Sequence, residues 1–211
     1  MKIPATVPAT VDYREGVVSQ SPISCAMKWT CVIKRESDGI RGRLIDLCQR
    51  FIVPFGSCKP KIIHRDIKAA NYLIGDSYEA KVADYGLSRS ALDSDSHIST
   101  RIMGTFGYLT PDYATSGQLS EKADVLSFGV VLLELITGRK PLAKPLIVQS
   151  LKDGNFDGLV DPRLADSLDA NEMMRMVSCA AASVRTSAKH RPKMSQIVRA
   201  FEGNLSLDDL N

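Results

Sequence analysis

The histidines and cysteines of this sequence are few, and their spacing is not that of a metal site or a disulfide framework. Its three histidines lie far apart, and its five cysteines include no C-x-x-C pair. An odd number of cysteines with irregular gaps argues against a disulfide framework, and neither residue type shows the ligand spacing of a zinc site. The plain interpretation is a set of reduced thiols in a cytosolic compartment. These residues are Cys25, Cys31, Cys48, Cys58, Cys179, His64, His97 and His190.

Long apolar runs and a strong excess of one charge are also missing. The most apolar segment, Val125 to Ile136, is too short to span a bilayer and contains Ser127 and Glu134, so it predicts a buried core helix and no membrane span. The first 30 residues contain no unbroken apolar stretch, which makes a secretory signal unexpected. A net charge of +3 does not indicate nucleic acid or a membrane surface as a partner.

The residues that are present indicate one folded domain. Apolar residues make up 44% of the 211 residues, enough for a sizeable core. The periodicity predicts an α+β, mostly helical chain with one small hairpin. Ser120 is expected to cap the central helix and Gly138 to end it. Helices are predicted at 43–53, 120–136, 145–153, 171–184 and 194–202, and strands at 61–63, 72–74 and 80–83 with a Gly75-Asp76 turn. Loops or short strands are predicted at 1–30, and a long loop at 85–119.

The segment HRDIKAAN places a carboxylate, an ammonium and an amide within six positions, at Asp66, Lys68 and Asn71. Such a set suits phosphoryl transfer, because a carboxylate can accept the proton of an attacking hydroxyl, an ammonium can neutralise the phosphate, and an amide oxygen can ligate Mg²⁺. A hairpin would bring Asp84, thirteen residues beyond Asn71, back beside it as a second oxygen ligand. A solvated loop charge explains each residue alone equally well, but the combination is far more specific.

These residues resemble the catalytic loop of protein kinases, followed by the magnesium-binding motif of that family, here DYG. The resemblance implies a kinase-like C-terminal lobe in which Asp66 is the catalytic base and Lys68 contacts the γ-phosphate of ATP. It also implies that Asn71 and Asp84 hold Mg²⁺, so ATP and Mg²⁺ are the expected cofactors. Lysine at position 68 resembles the serine/threonine class.

The stretch HISTRIMGTFGYLTPDY resembles the activation segment and substrate-docking loop of the same family. Ser99, Thr100 and Thr105 are its candidate phosphoacceptors, and a phosphate on Thr100 is expected to pair with Arg65 and order the loop. For any single one of these hydroxyls, an ordinary turn residue is an equally good interpretation. By resemblance, the Thr105 hydroxyl also bonds to the catalytic aspartate and lysine.

Three further residues match structural positions of the family. Asp112, in TPD where the family has Ala-Pro-Glu, is expected to pair with Arg191 in HRPKM. Because Asp112 is one methylene shorter than glutamate, the resemblance predicts a stretched pair, and breaking a buried pair costs about 3–5 kcal/mol. Asp124 matches a residue that braces the backbone of the catalytic loop, and stabilisation of the helix N-terminus explains it as well.

From about Cys58 to Asn211 the chain resembles plant receptor-like kinases, in particular the proline-rich extensin-like group. The resemblance implies a kinase C-terminal lobe at 58–204, a tail at 205–211, and protein substrates with Ser or Thr. Members of this group lie at the plasma membrane with the kinase on the cytosolic side, so a cytoplasmic location is expected. The phrases KIIHRDIKAAN, MGTFGYL, SFGVVLLELITGRKP, GNFDGLVDPRL and MSQIVRAFEG carry the resemblance.

Residues 1–57 lack the motifs with which the N-terminal lobe of a kinase holds ATP. They contain no G-x-G-x-x-G loop and no V-A-I-K-like strand lysine, so that lobe is expected to be missing or degenerate. Three hypotheses remain open. The chain is an active kinase, a binding module that docks substrates or partner kinases through its helical lobe, or a truncated product of a kinase gene. Loss of several groups that position phosphates predicts little turnover.

Overall fold

The computed structural model describes residues 61–74, 80–91, 98–139, 160–162 and 170–210. The helices predicted at 43–53 and 145–153, the Gly75-Asp76 turn and residues 1–30 lie outside these ranges. The described part has six short strands and four α-helices, in keeping with an α+β, mostly helical chain. The strands are β1 (Lys61–Ile63), β2 (Tyr72–Ile74), β3 (Ala80–Val82), β4 (Arg89–Ala91), β5 (Ile98–Ser99) and β6 (Gln118–Leu119), and the helices are α1 (Pro111–Ser116), α2 (Glu121–Thr137), α3 (Ala170–Ser183) and α4 (Met194–Phe201).

Within the described ranges, the strands form three separate antiparallel pairs. β2 and β3 are the two arms of the predicted hairpin, with Tyr72 opposite Val82 and Ile74 opposite Ala80. β1 pairs with β4, and β5 pairs with β6. The β1–β4 pair joins a strand near the start of the segment 85–119 to a strand outside it, whereas β5 and β6 both lie within the segment.

Helix α2 is buried along nearly its whole length. All residues from Ala123 to Leu133 are buried, since apolar side chains lie on every side of the helix. Gly138 ends the helix in the left-handed conformation, with φ 62°, as predicted. Ser120 is the N-cap residue, but its side chain makes no capping hydrogen bond, so the predicted cap is wrong in that respect. No helix within the described ranges combines the length and apolar character needed to cross a membrane.

Helix α3 packs along α2, and α4 packs on α3. The apolar stripe of α3 lies in the core, where Met176, Val177 and Ala180 are buried. Gly129 of α2 permits the close approach of α3, because a Cβ at that position would lie 2.6 Å from Ser183 Cβ. The buried apolar side chains of this core include Phe128, Leu132, Ile136, Ile197 and Phe201.

The segment 85–119, predicted to be a loop, contains a short helix. Helix α1 begins at Pro111 behind Thr110, whose hydroxyl accepts a hydrogen bond from Tyr113 N at 3.2 Å. It ends before Gly117, which has φ 69°. A proline at the first helical position behind a threonine cap is a known start signal, so this helix was recognisable from the sequence.

Residues 205–210, predicted to belong to a tail, pack on the helical core. Leu205 and Leu207 contact the core, and Leu210 is buried in it. A 3₁₀ turn at Asp208–Leu210 lies against α4. Because burying leucine removes apolar surface from water, the same force that joins the helices holds this segment.

Candidate active site

A buried aspartate of α2 holds the turn that follows β1. Asp124 Oδ2 accepts a hydrogen bond from His64 N at 2.7 Å, and its Oδ1 accepts one from Arg65 N at 2.9 Å. Arg65 has φ 74°, a left-handed conformation that costs a non-glycine residue about 1–3 kcal/mol. Burial raises the pKa of Asp124 to about 7, although the two backbone hydrogen bonds oppose the rise. These two bonds are the geometry that the predicted bracing of the catalytic loop requires.

Asp66, Lys68 and Thr105 form one hydrogen-bonded cluster. Lys68 Nζ lies 2.6 Å from Asp66 Oδ2 and 3.2 Å from Thr105 Oγ1. The Thr105 hydroxyl donates to Asp66 Oδ1 at 2.6 Å, so both contacts predicted for this threonine are present. Burial alone would raise the pKa of Asp66, but the hydrogen bonds from Lys68 and Thr105 lower it below its usual value. Asp66 is therefore ionised at neutral pH and can accept a proton.

The hairpin of β2 and β3 returns the chain toward Asn71. Ala83 N donates to Asn71 O at 2.8 Å, which places the backbone of the next residue, Asp84, beside the end of the catalytic loop. Asn71 Nδ2 donates to Asp66 O at 2.8 Å, so the amide oxygen Oδ1 is the atom that could bind a cation. Asp84 is exposed, and a Cβ at Gly86 would lie 3.3 Å from its Oδ1, so glycine leaves room for this carboxylate.

This donor set suits Mg²⁺ when phosphate groups supply further ligands. Mg²⁺ prefers oxygen ligands and usually binds through one or two carboxylates, waters and substrate phosphates. Asp84 offers a carboxylate and Asn71 an amide oxygen. In the part of the chain that the structure describes, no group of three or more His, Cys, Asp or Glu side chains could hold a metal ion. A cation at this site would therefore depend on oxygens from a bound nucleotide and from water.

His64 connects the catalytic loop to the strand that precedes Asp84. Its Nε2 lies 3.0 Å from Ala83 O, and its ring centroid lies 4.7 Å from that of Tyr85. The side chain is buried, and burial lowers its pKa. The imidazole is therefore neutral at neutral pH, with a hydrogen on Nε2 that it donates to the carbonyl. This structural role was not predicted from the sequence.

Arg65 joins the catalytic loop to the activation segment, residues 85–119. Its Nη1 donates to Leu87 O at 3.3 Å. Its Nη2 donates to Arg101 O at 2.7 Å and to the Tyr113 hydroxyl at 2.6 Å. Arg65 thus already contacts three oxygen atoms of the segment, one of which belongs to a tyrosine that was not predicted to take part. Its pairing with a phosphate on Thr100 stays a prediction.

Arg191 anchors the end of the activation segment. Its Nη2 donates to Asp112 Oδ1 at 2.7 Å, so the predicted stretched ion pair is wrong, because the shorter side chain still reaches the arginine. Arg191 is fully buried and also donates to the backbone oxygens of Lys122, Arg185 and Thr186 at 2.7–3.1 Å. The Asp112 side chain is 38% exposed, so these carbonyls do more than the ion pair to hold the guanidinium in place.

The candidate phosphoacceptors differ in their surroundings. Ser99 lies opposite Gln118 in the β5–β6 pair and is exposed. Thr100 follows it, with its backbone N donating to Gly117 O at 3.1 Å. Thr105 is half-buried, and its hydroxyl is already bonded to the Asp66 carboxylate. Modification of any of them stays a prediction.

The two polar residues of the apolar segment Val125 to Ile136, in helix α2, bind the same tyrosine of the activation segment. The Tyr108 hydroxyl donates to Glu134, at 2.8 Å from each carboxylate oxygen, and Ser127 Oγ donates to Tyr108 O at 2.8 Å. Burial and the Glu134 charge raise the pKa of Tyr108, so the phenol stays protonated. This contact was not predicted, although a signal existed: a polar side chain in a buried helix needs a hydrogen-bond partner.

Comparison with known proteins adds a second line of observation. The family profile described as protein tyrosine and serine/threonine kinase matches residues 58–201. Three proline-rich receptor-like protein kinases of Arabidopsis thaliana are similar to the chain. PERK15 is 69% identical over 168 residues, covering 72% of this chain and 33% of that protein. PERK3 is 59% identical over 169 residues, covering 74% and 33%, and PERK1 is 58% identical over 168 residues, covering 73% and 26%. The chain thus spans a third or less of the length of these relatives.

Proposed function

Because the chain belongs to the protein tyrosine and serine/threonine kinase family, we propose that it carries the machinery for phosphoryl transfer from ATP to Ser and Thr hydroxyls of proteins. The supporting observation is the meeting of Asp66, Lys68 and Thr105 within 3.2 Å of one another. The residues come from the catalytic loop and from the activation segment, so the cluster exists only when the two are docked. A lysine and a threonine beside the base resemble the serine/threonine class.

Asp66 is the base in this proposal. Its ionised carboxylate accepts the proton of the substrate hydroxyl as that hydroxyl attacks. ATP would supply the phosphoryl group and leave as ADP, and Asn71 and Asp84 would hold the Mg²⁺ that accompanies it. The ammonium of Lys68 lies beside the base and stabilises the negative charge that develops on the transferred group. The Thr105 hydroxyl keeps the activation segment at Asp66, which brings a substrate docked on that segment close to the base.

We expect the isolated chain to transfer phosphate slowly. Residues 1–57 contain neither a G-x-G-x-x-G loop nor a V-A-I-K motif, the parts that hold the ATP phosphates in kinases. Losing one preorganised electrostatic group typically raises a barrier by about 3–4 kcal/mol. The low turnover that we propose for these 211 residues rests on the lack of both motifs in this segment.

Transfer of label from γ-labelled ATP to casein in the presence of Mg²⁺ tests this proposal. We expect weak transfer that Asp66→Asn abolishes and that Asp208→Asn, a matched change of an exposed aspartate in the 3₁₀ turn against α4, leaves unchanged. Transfer that survives Asp66→Asn would remove Asp66 from its role as the base. Fast transfer that Asp66→Asn abolishes would instead refute the low turnover.

A binding module is the second candidate, supported by exposed apolar residues on the activation segment. Phe106 is 93% exposed, Ile102 44% and Met103 37%. Such side chains are typical of surfaces that contact another protein, here a substrate or a partner kinase. A thermal-shift measurement with Mg²⁺ and ATP separates the two candidates, because only a chain that binds the nucleotide gains stability from it. A clear shift favours the kinase, and no shift favours the module.

From the same resemblance we propose a cytoplasmic location, because the similar Arabidopsis proteins are named receptor-like kinases. ATP, the proposed phosphoryl donor, is also abundant in the cytosol. A fluorescent fusion of the chain is expected to fill the cytosol. Accumulation of that fusion in a secretory compartment would contradict the proposed location.

A further inference from the structure

A buried tyrosine is bonded to the arginine of the catalytic loop. Arg65 is 5% exposed and Tyr113 2%. Arg65 Nη2 donates to the Tyr113 hydroxyl at 2.6 Å and to Arg101 O at 2.7 Å, and the same hydroxyl donates to Arg101 O at 2.8 Å. Met103 N donates to the hydroxyl as well, at 3.2 Å. Arg65 therefore meets Arg101 and Tyr113, which lie 36 and 48 positions further along the chain, in one closed set of hydrogen bonds.

We propose that Tyr113 is the standing ligand of Arg65, a positioning residue that keeps the activation segment docked on the catalytic loop without a phosphate on Ser99 or Thr100. The proposal rests on the kinase function proposed above, because docking of the activation segment affects phosphoryl transfer only if Asp66 is the base. It differs from the expectation that a phosphate on Thr100 orders the loop through Arg65. In our proposal an unmodified side chain does that work.

The hydroxyl suits this position better than a phosphate would. A tyrosine hydroxyl both accepts and donates, so it can take the hydrogen of Arg65 and give its own to Arg101 O. A phosphate mainly accepts hydrogen bonds, and in the same place its oxygens would face the Arg101 carbonyl oxygen with no hydrogen between them. Burial strengthens the contact further, because a guanidinium taken out of water must find acceptors in the protein.

The contact between Arg65 and Tyr113 is linked to Asp66 through the backbone around Gly104. Gly104 has φ 126°, and a Cβ there would lie 2.7 Å from Arg65 O, so the two backbones are in close contact. The next residue, Thr105, donates to Asp66. A shift of the segment away from Arg65 would therefore also move the threonine hydroxyl away from the catalytic carboxylate.

One donor of the guanidinium still has capacity. Arg65 Nε is buried and has no hydrogen-bond partner among the described residues. A phosphate on the segment would therefore add a contact without having to replace the tyrosine. If Tyr113 holds the segment on Arg65, the segment needs an anion at Arg65 only after the tyrosine hydroxyl has been removed. If a phosphate holds it, the segment needs that anion while the hydroxyl is still present.

Amide hydrogen exchange of Met103, measured by NMR on the full chain, tests the proposal without any need for catalysis. In Tyr113→Phe we expect the Met103 amide to exchange about 10-fold faster, since it loses its acceptor and the segment loses its attachment. Saturating inorganic phosphate should restore the protection of Met103 in this variant and should leave the exchange of the unchanged chain as it was. Chloride at the same ionic strength is the control. Rescue by an anion is the readout that a merely structural tyrosine would not give.

Tyr108→Phe is the matched control, because it removes a segment hydroxyl that binds Glu134 and not Arg65. It should leave Met103 exchange insensitive to phosphate. Protected amides in α2 must show that Tyr113→Phe is folded. If they do not, two measurements on chains that keep Tyr113 decide. Phosphatase treatment of the unchanged chain, and the variant Thr100→Glu, should each leave Met103 exchange within about 2-fold of its original rate. Exchange that depends on phosphorylation there, or Tyr113→Phe with unchanged Met103 protection, would overturn the proposal. Failure of casein phosphorylation would overturn only the proposed function.

Discussion

The helical core of this protein and its catalytic face are held together by different forces. The catalytic face is the part that carries the candidate active site and the anchors of the activation segment. In the core, Phe128 and Val177 are fully buried apolar side chains on α2 and α3, which pack by shape. On the catalytic face, Asp124, Arg65 and Arg191 are buried polar side chains whose partners are mostly backbone groups. The core therefore depends on volume, and the face depends on individual hydrogen bonds. Volume can be filled by other apolar residues, whereas a fork of donors aimed at fixed carbonyls cannot be replaced in the same way.

The largest expected effect tests the apolar side of this comparison. Phe128→Ala should lower the free energy of unfolding by about 3–5 kcal/mol, because it leaves a cavity in the middle of the core. Phe106→Ala is the matched control, since Phe106 is 93% exposed and its loss should change stability by less than about 0.5 kcal/mol. Urea unfolding of both variants measures the difference. Equal costs would mean that α2 does not form the centre of the core.

The next effect tests the polar side at Arg191. Arg191→Lys should cost about 2–3 kcal/mol despite keeping the charge, because hydrogen bonds made by charged groups are worth about 1.5–3 kcal/mol each and lysine cannot reach several carbonyls at once. Asp112→Asn should cost less than about 1 kcal/mol, since the partly exposed amide oxygen still accepts. Urea unfolding again measures both. A larger loss for Asp112→Asn would show that the ion pair dominates.

A smaller effect is expected where the two helices of the core are in closest contact. Gly129→Ala should destabilise the chain by about 1–2 kcal/mol, because overpacking outweighs the better helix propensity of alanine. The added Cβ would lie 2.6 Å from Ser183 Cβ and 2.9 Å from Val184 Cγ1. The double variant Gly129→Ala/Ser183→Gly removes the first clash and should recover part of the loss in thermal unfolding. A stabilising Gly129→Ala would mean that α3 lies farther away.

The smallest expected effect is a pH dependence that belongs to the catalytic face. Burial lowers the pKa of His64 in the folded chain, so below the ordinary histidine pKa of about 6.5 the unfolded chain binds more protons. The stability that a neutral His64 contributes is therefore complete above that pH and is lost as the pH falls toward the lowered folded value. His64→Gln should flatten this part of the stability profile. Profiles of equal slope for the unchanged chain and His64→Gln would contradict the assignment.

The elements predicted with most success are those whose signals are local. The hairpin of β2 and β3 and the helices α2, α3 and α4 follow from the spacing of nearby residues. The end of α2 follows from Gly138, which comes directly after the last helical residue. The cluster of Asp66 and Lys68 also lies within one short segment. What was missed depends on distant partners: the Tyr113 hydroxyl on Arg65, and the Tyr108 hydroxyl on Glu134. A tyrosine in a polar segment carries no mark of which buried arginine or glutamate it will meet.

The sequence by itself determined which chemical groups the candidate site contains, because a carboxylate, an ammonium and an amide lie within six positions and a second carboxylate follows one hairpin later. Only the tertiary structure decided how that chemistry is held in place. The backbone of Arg65 is bonded to Asp124, its side chain to Tyr113, and Arg191 to carbonyls from two other segments. The physical reason is that buried donors must be satisfied by whichever acceptors the packed chain places within about 3 Å, and packing depends on residues far apart in the sequence.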